Sequence, residues 1–221
     1  MTTNFMNYTA LIVAAGKGLR AGLGYNKVLY YMQSHKSTIL GKTLDFFNED
    51  TRCSQIILVC SKEDYNLITG QYIGKKIEHV IGGARRQDSV VNGLKVVREE
   101  IVLVHDANRP FIQRPLVDKI LDTLNTEDAV LLAVRMKNTI KIVEDGYVTK
   151  TIDRDKLMGA QTPQAFKTEI LKEAYQKVNQ EQLTVTDDCQ AVEIANNAKI
   201  KIVEGSLTNE KITWVDDFKN L

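Results

Sequence analysis

Cysteine is scarce: the 221 residues hold only three, Cys53, Cys60 and Cys189. An odd number without CxxC spacing argues against both a disulfide framework and a zinc site, and leaves buried free thiols as the simplest reading. Histidine is equally sparse, and His35, His79 and His105 form no HExxH, so metalloprotease chemistry has no support. No apolar run approaches the roughly 20 residues needed to cross a bilayer. The first ten residues, MTTNFMNYTA, have neither the basic region nor the apolar stretch of a secretory leader. The expected compartment is therefore the cytoplasm, with no membrane partner. Charge of one sign is also missing, since 29 basic residues face 28 acidic ones, and a net charge of +1 carries no nucleic-acid footprint. Nothing in the composition marks a break between two cores, so one domain over residues 1–221 is expected.

What is present is a rhythm of short apolar runs rich in β-branched residues. They recur at Ala10 to Ala14, Gln55 to Cys60, Glu78 to Ile81, Ile101 to His105, Ala129 to Val134 and Ile200 to Val203. Each reads as a buried strand. Between most of them lie stretches with helical spacing, such as TILGKTLDFFNE, RQDSVVNGLKVVREE and PLVDKILDTLN. Strand alternating with helix predicts an α/β fold, a mostly parallel Rossmann-like sheet with helices on both faces. The rhythm fails between Asn138 and Phe166, where β-type segments surround the turn EDGY. A protruding β-arm is expected there, at about residues 138–163. Exposed strand edges seek something to pair with, and a second subunit is the economical partner.

The first strand stops at AAGKGLRAGLGYNK, which contains four glycines, an arginine and two lysines. Open α/β sheets bind ligands outside the carboxyl ends of their strands, and glycine lets backbone N–H groups approach an anion. A tight turn with solvated charges would have a similar composition. Two named motifs are excluded by spacing. Gly16, Gly18 and Gly22 give GxGxxxG, one residue off the dinucleotide fingerprint, and the GKT at Gly41 to Thr43 has Lys36 where a P-loop needs glycine. Arg20 and Lys27 lie within the excursion, and two cations aimed at one spot suit a triphosphate. Nucleotidyl transfer needs mainly positioning and neutralisation of charge on the transition-state oxygens, which such a clamp supplies.

Further along, GGARRQDSVVNGL joins a strand end to a helix start, with Asp88 and Ser89 placed either for capping or for hydrogen bonds to a base or ribose. VLVHDANRPFI presents Asp106 and Arg109 at the end of a buried strand. That carboxylate can accept from hydroxyls or hold a metal, and the arginine can grip a phosphate or simply pair with Asp106. His105 reads as a packed strand residue. By spacing alone Thr139, Arg154 and Thr162 are strand polar groups, the TVTDD around Thr186 is a helix start, and Lys211 is a surface lysine.

Taken together, AAGKGLR, Lys27, GGARRQDSVVNGL, VHDANRPF, NTIK, AQTPQAF, TDD and NEKIT resemble the 2-C-methyl-D-erythritol 4-phosphate cytidylyltransferases of non-mevalonate isoprenoid synthesis, in order and over roughly Thr9 to Asp217. The resemblance implies transfer of CMP from CTP to a polyol phosphate, Mg²⁺ held mainly through the CTP phosphates, and a homodimer interlocked through the β-arm. It implies Arg20, Lys27 and Lys211 as the catalytic cations. Ala14, Ala15, Gly16, Gly18, Gly83, Ser89, Asp106 and Ala107 would border the nucleotide. Asp106, Arg109, Thr139 and Thr186 would contact the acceptor, with Arg154 and Thr162 reaching it from the partner's arm. No protein side chain is implied as a metal ligand.

Four positions depart from the family's usual pattern. Asn26-Lys27-Val28 replaces Pro-Lys-Gln, which removes proline's fixed backbone angle from the clamp. Asn138 replaces an aspartate before the arm threonine, and Asn108 stands where small apolar residues are usual. Three other readings compete: a ribitol 5-phosphate cytidylyltransferase, a nicotinamide-dependent oxidoreductase on the same fold order, and a nucleotide-binding regulatory module without turnover. The AAG and RRQDSVVNGL stretches favour the methylerythritol enzyme over the ribitol one.

Overall fold

The computed structural model describes residues 6–16, 18, 21–219 and 221. Eleven strands and six α-helices follow one another along these residues. The strands are β1 (Tyr8–Val13), β2 (Tyr31–Met32), β3 (Ser37–Thr38), β4 (Cys53–Cys60), β5 (Ile77–Ile81), β6 (Ile101–Asp106), β7 (Ala129–Arg135), β8 (Ile140–Glu144), β9 (Tyr147–Ile152), β10 (Met158–Lys167) and β11 (Ile200–Glu204). The helices are α1 (Ile39–Asn48), α2 (Tyr65–Gln71), α3 (Arg86–Leu94), α4 (Arg114–Leu124), α5 (Thr168–Gln180) and α6 (Asp188–Ala195).

Seven strands form the central sheet in the order β11, β7, β10, β6, β1, β4, β5. All neighbouring pairs are parallel except those of β10, which runs antiparallel to both β6 and β7. Alternation along the strands feeds two cores. Ala10 and Ile12 of β1 face α1, α2 and α4, while Leu11 faces α3, α5 and α6. Both strand faces are thus buried, which is why β1, β4 and β6 read as nearly continuous apolar runs. Helix α3 lies especially close to the sheet, since a Cβ on Gly93 would stand 2.8 Å from Leu11 Cδ1 and 3.1 Å from Val59 Cγ2. Local chemistry sets several helix ends: Thr38 accepts from the Gly41 N–H ahead of α1, and Asp187 from the Gln190 N–H ahead of α6.

The expected arm is shorter than the segment read from sequence. β8 and β9 form a separate two-stranded sheet around Asp145 and Gly146, both with positive φ (50° and 83°), the geometry a two-residue Asp-Gly hairpin requires. The following stretch does not belong to the arm. β10 re-enters the central sheet, with Gln164–Lys167 paired to β6 and Met158–Ala160 to β7, and a register shift between Ala160 and Gln164. Pro163 falls in that shift, outside the regular ladder, which is how a proline comes to lie in an interior strand.

Candidate active site

Three backbone bonds gather the carboxyl ends of the strands. Ala14 N–H donates to Val59 O, Ala107 N–H to Val13 O and Gly82 N–H to Cys60 O, at 2.7, 3.1 and 2.8 Å. The loops leaving β1, β4, β5 and β6 therefore open at one edge and enclose a cleft of about 740 Å³. Ala14, Ala15, Gly16 and Gly18 line it from the first loop, with Gly83 and Ser89 opposite and Asp106 at its floor. Lys27 and Lys211 border it from the two chain segments that flank the sheet edge. Ala107 is fully buried behind Asp106. Arg20 lies outside the described residues.

Glycine is required where this turn packs tightly on neighbouring residues. A Cβ on Gly83 would stand 2.3 Å from Asp88 Cβ, and one on Gly82 would stand 2.7 Å from both Ala15 Cβ and Ser89 Oγ. Ser89 spends its hydroxyl on this turn, accepting from Gly83 N–H (3.1 Å) and donating to Arg85 O (3.2 Å). Asp88 caps α3 by accepting from Arg85 N–H at 3.0 Å and pairs with the Arg85 side chain. Both residues thus build the wall of the cleft through capping.

The described lining has five basic side chains, Lys27, Lys62, Arg85, Arg86 and Lys211, against Glu63 and Asp106. In a chain of net charge +1 this surplus is local, and it makes the cleft a site for a polyanion. Asp106 is held by two of these cations, Lys211 Nζ at 2.7 Å and Arg86 Nε at 3.3 Å. Burial raises its pKa, but Arg86 and Lys211 outweigh burial and hold the carboxyl well below the usual range. Arg86 extends the network inward by donating to Asp188 Oδ2 at 2.8 Å, and Asp188 Oδ1 accepts from Tyr175 Oη at 2.6 Å. Burial works against the Arg86 charge, but Asp188 and Asp106 overcome it, so its pKa is raised.

His105 is fully buried beneath the floor. Its Nε2 lies 3.1 Å from Arg109 O, an acceptor only, so Nε2 carries the proton. Nδ1 then accepts from Thr162 Oγ1 at 3.1 Å, and Thr162 Oγ1 accepts from Asp106 N–H at 3.1 Å. Burial lowers the imidazole pKa to about 4. His105 is a packed strand residue, as expected, and the three cysteines are free and buried.

Other residues named from sequence stand elsewhere. Thr162 sits in β10 within its own chain's central sheet rather than on the arm, because Gln164–Lys167 pair with β6. Arg109 is largely buried. Its guanidinium donates to Asn209 O at 2.8 Å and lies 3.5 Å from Ala160 O, while Asp106 pairs with Arg86 and Lys211 instead. Thr139 precedes β8, and Arg154 donates to Lys137 O at the base of the arm (2.8 Å). Neither lines the cleft of its own chain. Thr186 sends its N–H and hydroxyl to Gln190 Oε1, the first-turn reading of TVTDD.

Sequence reasoning missed Arg86 and Asp188. The doublet Arg85-Arg86 at a helix start, where the helix dipole disfavours cations, was the available signal for nearby carboxylates. It read Asn26 only as the loss of a proline, whereas the residue is buried next to Lys27 and bonded to Ala14 O. Asn108, the apolar-to-amide departure, is used structurally: its Nδ2 donates to Ile212 O at 2.6 Å, and its carbonyl accepts from Ile212 N–H at 2.9 Å. These two bonds fasten the segment that carries Lys211.

A Rossmann-like sheet with a glycine-bordered, cation-rich cleft at its carboxyl edge defines this chain as an α/β protein with a site for a polyanion. Residues 8–220 match the model of the 2-C-methyl-D-erythritol 4-phosphate cytidylyltransferase family, IspD, and the chain belongs to that family. It is 40% identical over 217 residues to the enzyme of that name from Bacillus velezensis, covering 96% of this chain and 93% of that one. With the Alkaliphilus metalliredigens protein of the same name the identity is 39%, over 95% of this chain and 89% of that one. The crystal structure of 4-diphosphocytidyl-2C-methyl-D-erythritol synthase from Anaerococcus prevotii superposes with a TM-score of 0.83 at 35% identity, covering 97% and 94% of the two chains. That of the Francisella tularensis cytidylyltransferase gives 0.84 at 32% identity, covering 96% and 97%.

Proposed function

We propose that the cleft binds CTP and 2-C-methyl-D-erythritol 4-phosphate and transfers CMP between them, giving 4-diphosphocytidyl-2-C-methyl-D-erythritol and pyrophosphate. The observation that carries this reading is the local cationic surplus around the glycine loop of a chain in this family. An oxygen of the acceptor phosphate attacks the α-phosphorus of CTP, a new P–O bond forms, and the bond to the β-phosphate oxygen breaks with its electron pair leaving on pyrophosphate. The nucleophile is already ionised at neutral pH, so no general base is needed. Acceleration then comes from holding the two phosphates in line and stabilising the charge that grows on the α-phosphoryl oxygens.

Lys27, with Arg20, faces the triphosphate in this reading, and Lys211 stands at the acceptor side. The loop from Ala14 to Gly18, with Gly83 and the turn built by Ser89, borders the cytosine and ribose. Asp106 accepts from hydroxyls at the junction, with Arg109 and Thr162 fixing the floor and Thr139 and Thr186 on the approach. Mg²⁺ fits this cleft as an ion held mainly through the CTP phosphates, because it keeps several waters and binds substrate phosphates, while Asp106 stays paired with Arg86 and Lys211. When bound it supplies further neutralisation of the phosphate charge.

The functional unit is a homodimer in this reading. Ile142, Val143, Tyr147 and Val148 are exposed along the arm, an apolar surface suited to a second copy. Arg154 at the base of the arm would then serve the partner's acceptor phosphate. The cytoplasm is the compartment that agrees with three free thiols, and among the described residues no helix is long and apolar enough to cross a membrane.

The direct test is pyrophosphate release from CTP and Mg²⁺ with either 2-C-methyl-D-erythritol 4-phosphate or ribitol 5-phosphate. Release with the first acceptor alone is expected. Release with ribitol 5-phosphate alone would overturn the acceptor, and CTP binding with no release from either would overturn turnover itself.

A further inference from the structure

We propose that Asn26 is a positioning residue that sets Lys27 in the cleft, through side-chain hydrogen bonds that hold the backbone at the angle a proline ring would impose. The proposal rests on Lys27 acting on the triphosphate, as above.

The backbone at Asn26 has φ −64° and ψ 115°, and proline's ring fixes φ near −65°. That angle is held here without a proline ring. The side chain supplies the reason. Asn26 is only 5% exposed, and both Nδ2 protons are used, on Ala14 O and on Asp64 Oδ2, each at 2.9 Å. Its Oδ1 accepts from Val28 N–H at 3.3 Å and so caps the short 3₁₀ turn Lys27–Leu29. Asp64 is itself fixed, accepting from Ser61 Oγ at 2.8 Å and donating its N–H to that hydroxyl at 3.0 Å.

One amide thus ties together the exit of β1, the exit of β4 and the turn that begins with Lys27. Gly18 presses on the same turn from the loop side. Its φ is +64°, and a Cβ there would stand 3.0 Å from Lys27 N and 3.4 Å from Lys27 Cβ. Lys27 is held to 9% exposure between these supports. A lysine stem has four rotatable bonds, so without a fixed root its ammonium would sample positions away from the α-phosphoryl oxygens. Misplacement by about 1 Å is enough to cost on the order of 10²-fold in rate.

The test is a cycle of Asn26→Ala and Lys27→Ala with a proline rescue, read as kcat and KM for CTP. Lys27→Ala alone should lower kcat about 10² to 10³-fold, the scale for removing one charge-stabilising donor. Asn26→Ala should lower kcat about 10 to 10²-fold by misplacing the ammonium, yet change kcat less than about threefold when Lys27 is already alanine. Asn26→Pro, which fixes φ without the three hydrogen bonds, should return kcat to within about threefold of wild type.

Independent, multiplying losses in the double variant would overturn the proposal, because a merely structural asparagine does not need Lys27 to exert its effect. Asn26→Pro as slow as Asn26→Ala would also overturn it, since the angle would then not be what matters. A wild-type rate for Lys27→Ala would remove the lysine's assigned role and this inference with it. If Asn26→Ala is too unstable to assay, Asn26→Ser keeps an oxygen for the Val28 N–H and completes the same comparison.

Discussion

Asp106 owes its charge to two cations from distant parts of the chain, Arg86 at the start of α3 and Lys211 near the C-terminus. Its neighbour His105 has the opposite situation, fully buried with only uncharged hydrogen-bond partners, so burial outweighs Asp106 and keeps the ring neutral. Above about pH 6.5 an imidazole is neutral in folded and unfolded chains alike. Between about 6.5 and about 4 only the unfolded chain takes up the proton, so stability falls with pH across that window until the folded imidazole protonates too. The loss amounts to about 3 kcal/mol. Urea titrations of wild type and His105→Gln at several pH values should therefore differ in slope between pH 4 and 6.5, with the variant flatter. Parallel curves would show that His105 does not titrate in this way. At this scale sequence reasoning saw the residues that share a loop, such as Gly16, Gly18 and Lys27. It could not see Arg86 with Asp188, 102 positions apart, because only folding brings α3 and α6 together.

Elements with both faces buried announced themselves. β1, β4, β6 and β7 are apolar because helices cover the sheet on each side, and α1, α3 and α4 showed the matching helical period, whereas β11, expected as a buried strand, lies at the sheet edge with most of its residues exposed. β10 did not announce itself, although it lies deep in the same sheet. Its interior residues include Gln161, Thr162 and Gln164, polar groups buried because each bridges neighbours. Gln164 Oε1 accepts from Asp188 and Cys189 N–H, and its Nε2 donates to Asp187. Gln161 donates to Ser206 O, and Thr162 links His105 with Asp106. Polarity plus Pro163 made this strand look like part of the arm. The close seating of α3 on β1 yields a prediction at the same scale. Gly93→Val has no room against Leu11 and Val59 and should cost about 2 kcal/mol of stability, the usual scale of overpacking. Chemical denaturation checks it; an unchanged midpoint would mean that α3 shifts freely on the sheet.

For the whole molecule, the proposed dimer makes each site from two chains. Lys27→Ala and Arg154→Ala homodimers should each be slow, while a mixed population regains activity. One site of each heterodimer then carries an intact lysine from one chain and an intact arginine from the other. The measurement is turnover after tagged heterodimers are isolated from co-expressed chains. Absence of recovery in such heterodimers would mean that Arg154 serves only its own chain.

The arm leaves the sheet from β7 and returns through β10, and neither is an edge strand: β7 lies between β11 and β10, and β10 between β7 and β6. A pull on the hairpin is therefore taken in shear by ladders on both sides, which must yield many bonds together. An edge strand would instead unzip one bond at a time. The arm is stitched into the middle of the fabric, one strand away from β1 on the Asp106 side, so partners joined by it would separate at their shared surface while the weave beneath the cleft stayed whole.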